Sequence, residues 1–273
     1  MNPMIRKELR QRMRERRTWM LPSLYLVALG AAVALAYYFA TEDVFGFGPQ
    51  QVQGAEIGVS VFYTVTFVQM ALLLLIAPVF SAGSITIEKE QRTLGGLLTS
   101  LLTPAQIWRG KFVAALLFLS LLLVSALPVL SLSFSLGGVG MRDVALAAGI
   151  TLLVLASVSS IGLYCSSFFR RSVHATAVSY AIVIALTIIT FVVFLILESR
   201  WQASQLASGG TGEIPRHIFA ALYLNPFFPL TALFSEGKTH FPDWKISLIL
   251  FTFLGCLAAV LAVRNLSRAG EQL

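Results

Sequence analysis

The chain has 273 residues, of which 57% are hydrophobic and only 12% charged, with a mean hydropathy of +0.80. A soluble globular domain carries roughly 25% charged residues, so this composition excludes that class. The net charge of +7 does not mark a nucleic-acid partner either: seven of the twenty basic residues crowd into the first seventeen positions, and no basic face interleaved with aromatics is present.

The opening segment, NPMIRKELRQRMRERR, places Met4, Ile5, Leu9 and Met13 at helical spacing with Arg6, Arg10, Arg14 and Arg17 on the other side. The pattern predicts a short basic amphipathic helix over residues 1–18, lying in the cytoplasmic headgroup region among anionic membrane lipids. A topogenic basic tail with no further role is the alternative. No short apolar region with a cleavage site follows, so the first span is expected to be retained as an anchor.

Six charge-free stretches come next, at 19–40, 57–82, 112–136, 144–169, 173–197 and 246–263. Each is near or above the ~20 residues that cross a bilayer as a helix. The expected fold is therefore an all-α membrane protein, a single six-helix domain over 19–273. Pro22, Pro78 and Pro128 fall near span ends, where a missing backbone donor costs least. With the N-terminus inside, fifteen of the twenty basic residues lie on the cytoplasmic side. That bias places both termini in the cytoplasm and the chain in the cell inner membrane as a multi-pass protein.

Residues 218–235 form another charge-free run, but Asn225-Pro226 and Pro229 interrupt it. The reading is an outer re-entrant or interfacial element within 213–236, not a seventh span.

The cytoplasmic loop at 83–111 reads GSITIEKEQRTLGGLLTSLLTPAQIWRGK. Glu88 and Arg92 stand in the favourable order for an i,i+4 ion pair, and Ile87, Leu94, Leu97, Leu98 and Leu101 give an apolar face. The second span is expected to continue into the cytoplasm and bend near Gly95-Gly96. Thr103, Pro104 and Gln106 then form a helix start with a capping hydroxyl, a proline at the first helical position and a glutamine that reaches back. The apolar face either docks on a partner or packs on the chain's own N-terminal helix or lipid.

Chemistry-bearing constellations are few. His174, His217 and His240 are dispersed without metal-ligand spacing, and Cys165 and Cys256 both read as small core residues. No nucleophile elbow, H-E-x-x-H or phosphate-binding loop occurs. The spans contain no charged residue, as an ion-coupled carrier would, so the driving force is expected from a partner. Ser60, Thr64, Gln69 and Thr187 either line a path or serve helix packing, whereas Ser157, Ser159, Ser160 and Gly162 read as close-packing positions.

The 83–111 loop resembles the signature region of the ABC type-2 permease family, in which an E-x-E-x-x-T-L run leads through paired leucines to a G-K opening the third span. Glu88, Glu90, Thr93-Leu94, Leu97-Leu98 and Gly110-Lys111 stand in the matching positions. Asn2-Pro3 followed by Arg6, Lys7, Glu8 and Leu9 is similar to the family's N-terminal elbow helix, and the six-span layout with its outer element agrees. The resemblance covers essentially the whole chain and departs from the family at Gly95-Gly96.

What the resemblance implies is a permease subunit, without an ATPase of its own, that pairs with a second permease copy or homologue and with a separate ABC ATP-binding subunit. ATP and magnesium would reside in that ATPase, with no cofactor in this chain. Glu88, Lys89, Glu90, Arg92, Thr93, Leu94, Leu97 and Leu98 would form the ATPase-coupling helix. Export of an unidentified substrate is the expected activity. A non-transporting membrane subunit of an ATPase-linked signalling or envelope-assembly complex, and an autonomous secondary carrier, are the competing readings.

Overall fold

Helix is the only regular structure among the described residues, which are 16–41, 54–93, 103–137, 139–208, 215, 218–234 and 243–271 of a computed structural model. The reason lies in the solvent: in hydrocarbon every backbone N–H and C=O must be satisfied within the chain, which a helix does segment by segment. In order these are α1 (Arg16–Thr41), α2 (Gly54–Glu90), α3 (Pro104–Ser125), α4 (Leu127–Leu136), α5 (Met141–Phe168) and α6 (Ser172–Ile184). A π turn (Ala185–Ile189), α7 (Thr190–Ser208), a 3-10 segment (Ile218–Leu224), α8 (Phe228–Phe234) and α9 (Trp244–Glu271) follow.

Six helical stretches are long and apolar enough to cross a membrane: Met20–Tyr38, Gly58–Glu90, Pro104–Ser131, Met141–Phe168, Ser172–Gln205 and Trp244–Arg268. Each coincides with one of the six sequence-predicted spans. The second helix runs past residue 82 to Glu90, and the third begins at Pro104, so the end of α2 and the start of α3 project beyond their apolar runs. Pro78 lies inside α2 and Pro22 inside α1, away from the helix ends where the sequence pattern put them. Pro128 agrees better with expectation: it is the second residue of α4, just after the break at Ala126 that divides α3 from α4.

The stretch 218–234 is divided as its prolines predict. The 3-10 segment stops at Leu224, Asn225-Pro226 make the turn, and α8 is only seven residues long. At 1.5 Å per residue, α8 spans about 10 Å and cannot cross a bilayer. Its aromatic side chains pack on α2: Phe234 stacks on Tyr63 with ring centroids 4.3 Å apart and meets Phe62 edge-on at 5.5 Å.

α5 is the central helix, packed against α2 on one side and α9 on the other. Lipid tails are as apolar as leucine, so helices associate in a membrane through close backbone approach and hydrogen bonds. Gly162 supplies the first: a Cβ there would stand 2.0 Å from Ser81 Oγ of α2. Gly255 of α9 lies against Ser157 of α5, whose hydroxyl donates to Phe251 O at 2.8 Å. The serine and glycine cluster of the fourth span is thus a packing device, as its spacing suggested. Of the two cysteines, Cys165 is buried, but Cys256 is exposed on α9 and is not a core residue.

The C-terminal end of the second span as candidate functional site

The residues singled out at 88–93 sit where α2 ends. The helix closes in a Schellman motif, with Thr93 N–H donating to Glu88 O at 2.9 Å and Arg92 N–H to Lys89 O at 3.2 Å. This geometry needs a left-handed residue next to last, a position usually taken by glycine. Here Arg92 fills it, at φ 56°. Having left the helix, Arg92 is no longer placed as the i+4 partner of Glu88 that the sequence pattern predicts. That expectation is corrected: Glu88 Oε1 pairs with Lys111 Nζ of α3 at 2.9 Å.

The pair is deeply placed. Lys111 is 1% exposed and Glu88 14%, and Lys111 Nζ also donates to Ser84 O at 2.7 Å. A buried cation without a partner would be costly by several kcal/mol, so the carboxylate and carbonyl together are what allow Lys111 to be there.

Lys89 points to another helix. Its ammonium donates to the carbonyls of Ser166 at 3.0 Å, of Phe169 at 2.9 Å and of Ser167. These carbonyls belong to the C-terminus of α5, where the last four C=O groups lack intrahelical donors and the helix dipole is negative. Glu90 does the converse, its Oε1 accepting from Ser172 N–H at 2.7 Å at the start of α6. Three successive charged residues therefore hold three other helices: Glu88 holds α3, Lys89 the end of α5, and Glu90 the beginning of α6.

One further tie enters the helix ladder itself. Ser166 Oγ of α5 accepts from Ile85 N–H at 2.9 Å and Thr86 N–H at 3.0 Å of α2. Foreign groups reaching into a backbone ladder mark where a long helix can bend. The third helix then begins as predicted, with Thr103 Oγ1 accepting from Gln106 N–H at 3.3 Å, Gln106 Oε1 accepting from Thr103 N–H at 2.9 Å, and Pro104 at the first helical position. Trp108 and Phe112 stack at 4.8 Å on the first turns of that helix.

The other predicted residues are scattered. Leu94, Leu97, Leu98 and Leu101, the Gly95-Gly96 pair, and the N-terminal group Arg6, Lys7, Glu8 and Leu9 lie outside the described residues. Ser60 and Thr64 are one turn apart near the start of α2, joined by a Thr64 Oγ1 to Ser60 O hydrogen bond of 2.9 Å. Gln69 is buried at 5% exposure beside a small cavity of about 90 Å³ that Thr66 and Thr151 also border. Thr187 lies in the π turn and borders a separate cavity of about 350 Å³. The four do not converge on one path within a single chain. His174 is exposed, and no metal-binding cluster exists among the described residues.

Sequence reasoning overlooked Ser166 and Asn225. A serine two positions before a helix end carries no special signal, and Asn225 read only as a helix breaker. Lys111 was noticed as part of a motif but not as the partner of Glu88.

Residues 3–267 match the model of a known family, described as ABC-2 family transporter protein. The chain belongs to the ABC-2 transporter family. No curated protein sequence matches it. As an ABC-2 family member, with six membrane-length helices, it is a multi-pass membrane transport subunit and not itself a catalyst. The resemblance carried by Glu88, Glu90, Thr93-Leu94 and Gly110-Lys111 is therefore to the family that the whole chain matches.

Proposed function

We propose that the chain is the permease subunit of an ABC exporter, driven by a separate cassette ATPase that docks beneath the 83–111 loop. ATP and magnesium belong to that partner. A second permease copy completes the transport path, and both termini face the cytoplasm of the inner membrane.

The observation that carries this reading is the set of ties at the end of α2. A partner that pushes on the segment following Thr93 moves α2, and α2 cannot move there without carrying Lys111 of α3, the carbonyl end of α5 and the first turn of α6. A rigid junction at that one place is what mechanical coupling requires. Glu88 and Lys89 contribute as internal struts, which leaves docking to the residues beyond them.

The test is affinity capture of the detergent-solubilised chain from its native membrane, with mass spectrometry of co-purifying proteins. A cassette ATPase in near-stoichiometric amount is the expected result. Intact protein that brings down no ATPase would overturn the reading in favour of an autonomous carrier.

A further inference from the structure

The cavity of about 350 Å³ beside the π turn has a chemistry that can be read from its walls. Ile188 and Phe191 of the fifth span form one side, and Leu222, Phe227 and Phe228 of the outer segment form the other. Among the described residues, no charged side chain lines it. Its size falls within the ~300–1,000 Å³ of ordinary small-molecule sites, which combine apolar walls with a few convergent polar groups.

The polar groups here are Thr187, Asn225 and Thr231. Their donors are already committed. Thr187 Oγ1 donates to Val183 O at 2.8 Å and Thr231 Oγ1 to Phe228 O at 2.8 Å. The Asn225 amide donates to Thr187 O at 2.9 Å and to Thr190 Oγ1 at 3.0 Å, while its own oxygen accepts from Phe227 N–H at 2.9 Å. What remains for a visitor is acceptor capacity only, the lone pairs of the two threonine hydroxyls and the second lone pair of Asn225 Oδ1, because a hydroxyl that has given away its proton can still accept.

The π turn fits this reading. Such turns are rare and frequently occur at functional sites, and here Asn225 bonds to the π turn's Thr187 carbonyl and to Thr190 just beyond it. Fifteen residues separate Ser172 from Thr187, about 22 Å of helix, less than the ~30 Å of hydrocarbon that the span Ser172–Gln205 is long enough to cross.

We propose that this cavity binds a neutral, mostly apolar molecule that donates one hydrogen bond, from a hydroxyl or an N–H, to Thr187 and Thr231. The molecule enters from the surrounding lipid. Among the described residues, no carboxylate lines the walls, which disfavours a cation, and no free donor does, which disfavours a carboxylate. The binding chemistry stands independently of any ATPase; only the role of the bound molecule as cargo rests on the permease reading.

The experiment is photolabelling of the full chain in lipid nanodiscs, without ATPase or nucleotide, by a diazirine-bearing long-chain alcohol and by its methyl ether. The alcohol is expected to label the peptides containing Phe191 and Phe227, and the ether about fivefold less, the effect of one hydrogen bond. Thr187→Val and Thr231→Val are each expected to lower alcohol labelling toward the ether level, whereas Thr187→Ser retains it. Equal labelling by alcohol and ether would overturn the proposal and leave a plain apolar groove. Absence of labelling, with Ile188→Cys cross-linking two copies of the chain, would overturn it as well, since a second copy would then fill the space. Either result is readable whether or not a cassette ATPase is ever found.

Discussion

The fourth and fifth spans are both long apolar helices, yet 61% of an 18-residue apolar stretch of the fourth is buried within the chain and only 6% of the matching stretch of the fifth. The fourth, α5, places Gly162 against Ser81 of α2 and Ser157 against Gly255 of α9, with Ser159 and Ser160 buried beside them. The fifth carries Ile184, Ile188, Ile189, Phe191, Val192 and Val193, all exposed. The difference teaches that apolarity alone does not distinguish a helix buried in protein from one facing lipid or a second subunit. Small side chains do, because they let backbones approach where lipid cannot compete.

The largest expected effect comes from filling the closest of those approaches. Gly162→Leu would drive a side chain into Ser81 and should cost about 3 kcal/mol or more. It should be read as loss of a monodisperse, heat-resistant species in detergent. Ile189→Ala, on the bare fifth span, should change stability by less than about 0.5 kcal/mol in the same assay. Equal damage from both would break the contrast between the two spans.

A comparable or somewhat smaller effect sharpens it at the end of α2. Glu88→Lys should destabilise by about 3 kcal/mol, because Lys111 is left buried against a like charge. Lys111→Glu should do comparable harm, and the double variant Glu88→Lys with Lys111→Glu should recover much of the loss. A double-mutant cycle of thermal midpoints measures this. Absence of recovery would mean that Glu88 acts on a partner chain and not on α3.

The smallest effect is local. Arg92→Gly relieves a left-handed backbone that costs a side-chain-bearing residue roughly 1 kcal/mol, so the variant should be modestly more stable. An unchanged or lowered midpoint would show that the arginine side chain contributes something that offsets the strain.

Much of this was legible in the sequence, and what was legible was local. Hydrocarbon thickness makes each span announce itself as a long charge-free run. The capping box at Thr103 and Gln106 and the break at Asn225-Pro226 depend on neighbours a few residues away, so the pattern contains the whole interaction. The clasp at Glu88, Lys89 and Glu90 does not. Their partners are Lys111, the carbonyls of Ser166, Ser167 and Phe169, and the N–H of Ser172. Backbone groups leave no trace in a sequence, and the nearby Arg92 offered Glu88 a simpler match. The cavity at Thr187 was equally hidden, because it is formed by a π turn that no residue pattern signals and by the segment 222–231, distant in sequence.

The clasp at the end of α2 also has an ionic-strength consequence. The Glu88–Lys111 contact is largely shielded from solvent, so mobile ions screen it little, whereas the Glu90 contact with Ser172 lies open to water. Physiological salt already screens exposed charges beyond about 8 Å. Raising it further would loosen the hold on the fifth span while the hold on the third stays fixed, so one junction contains a salt-sensitive and a salt-indifferent joint side by side.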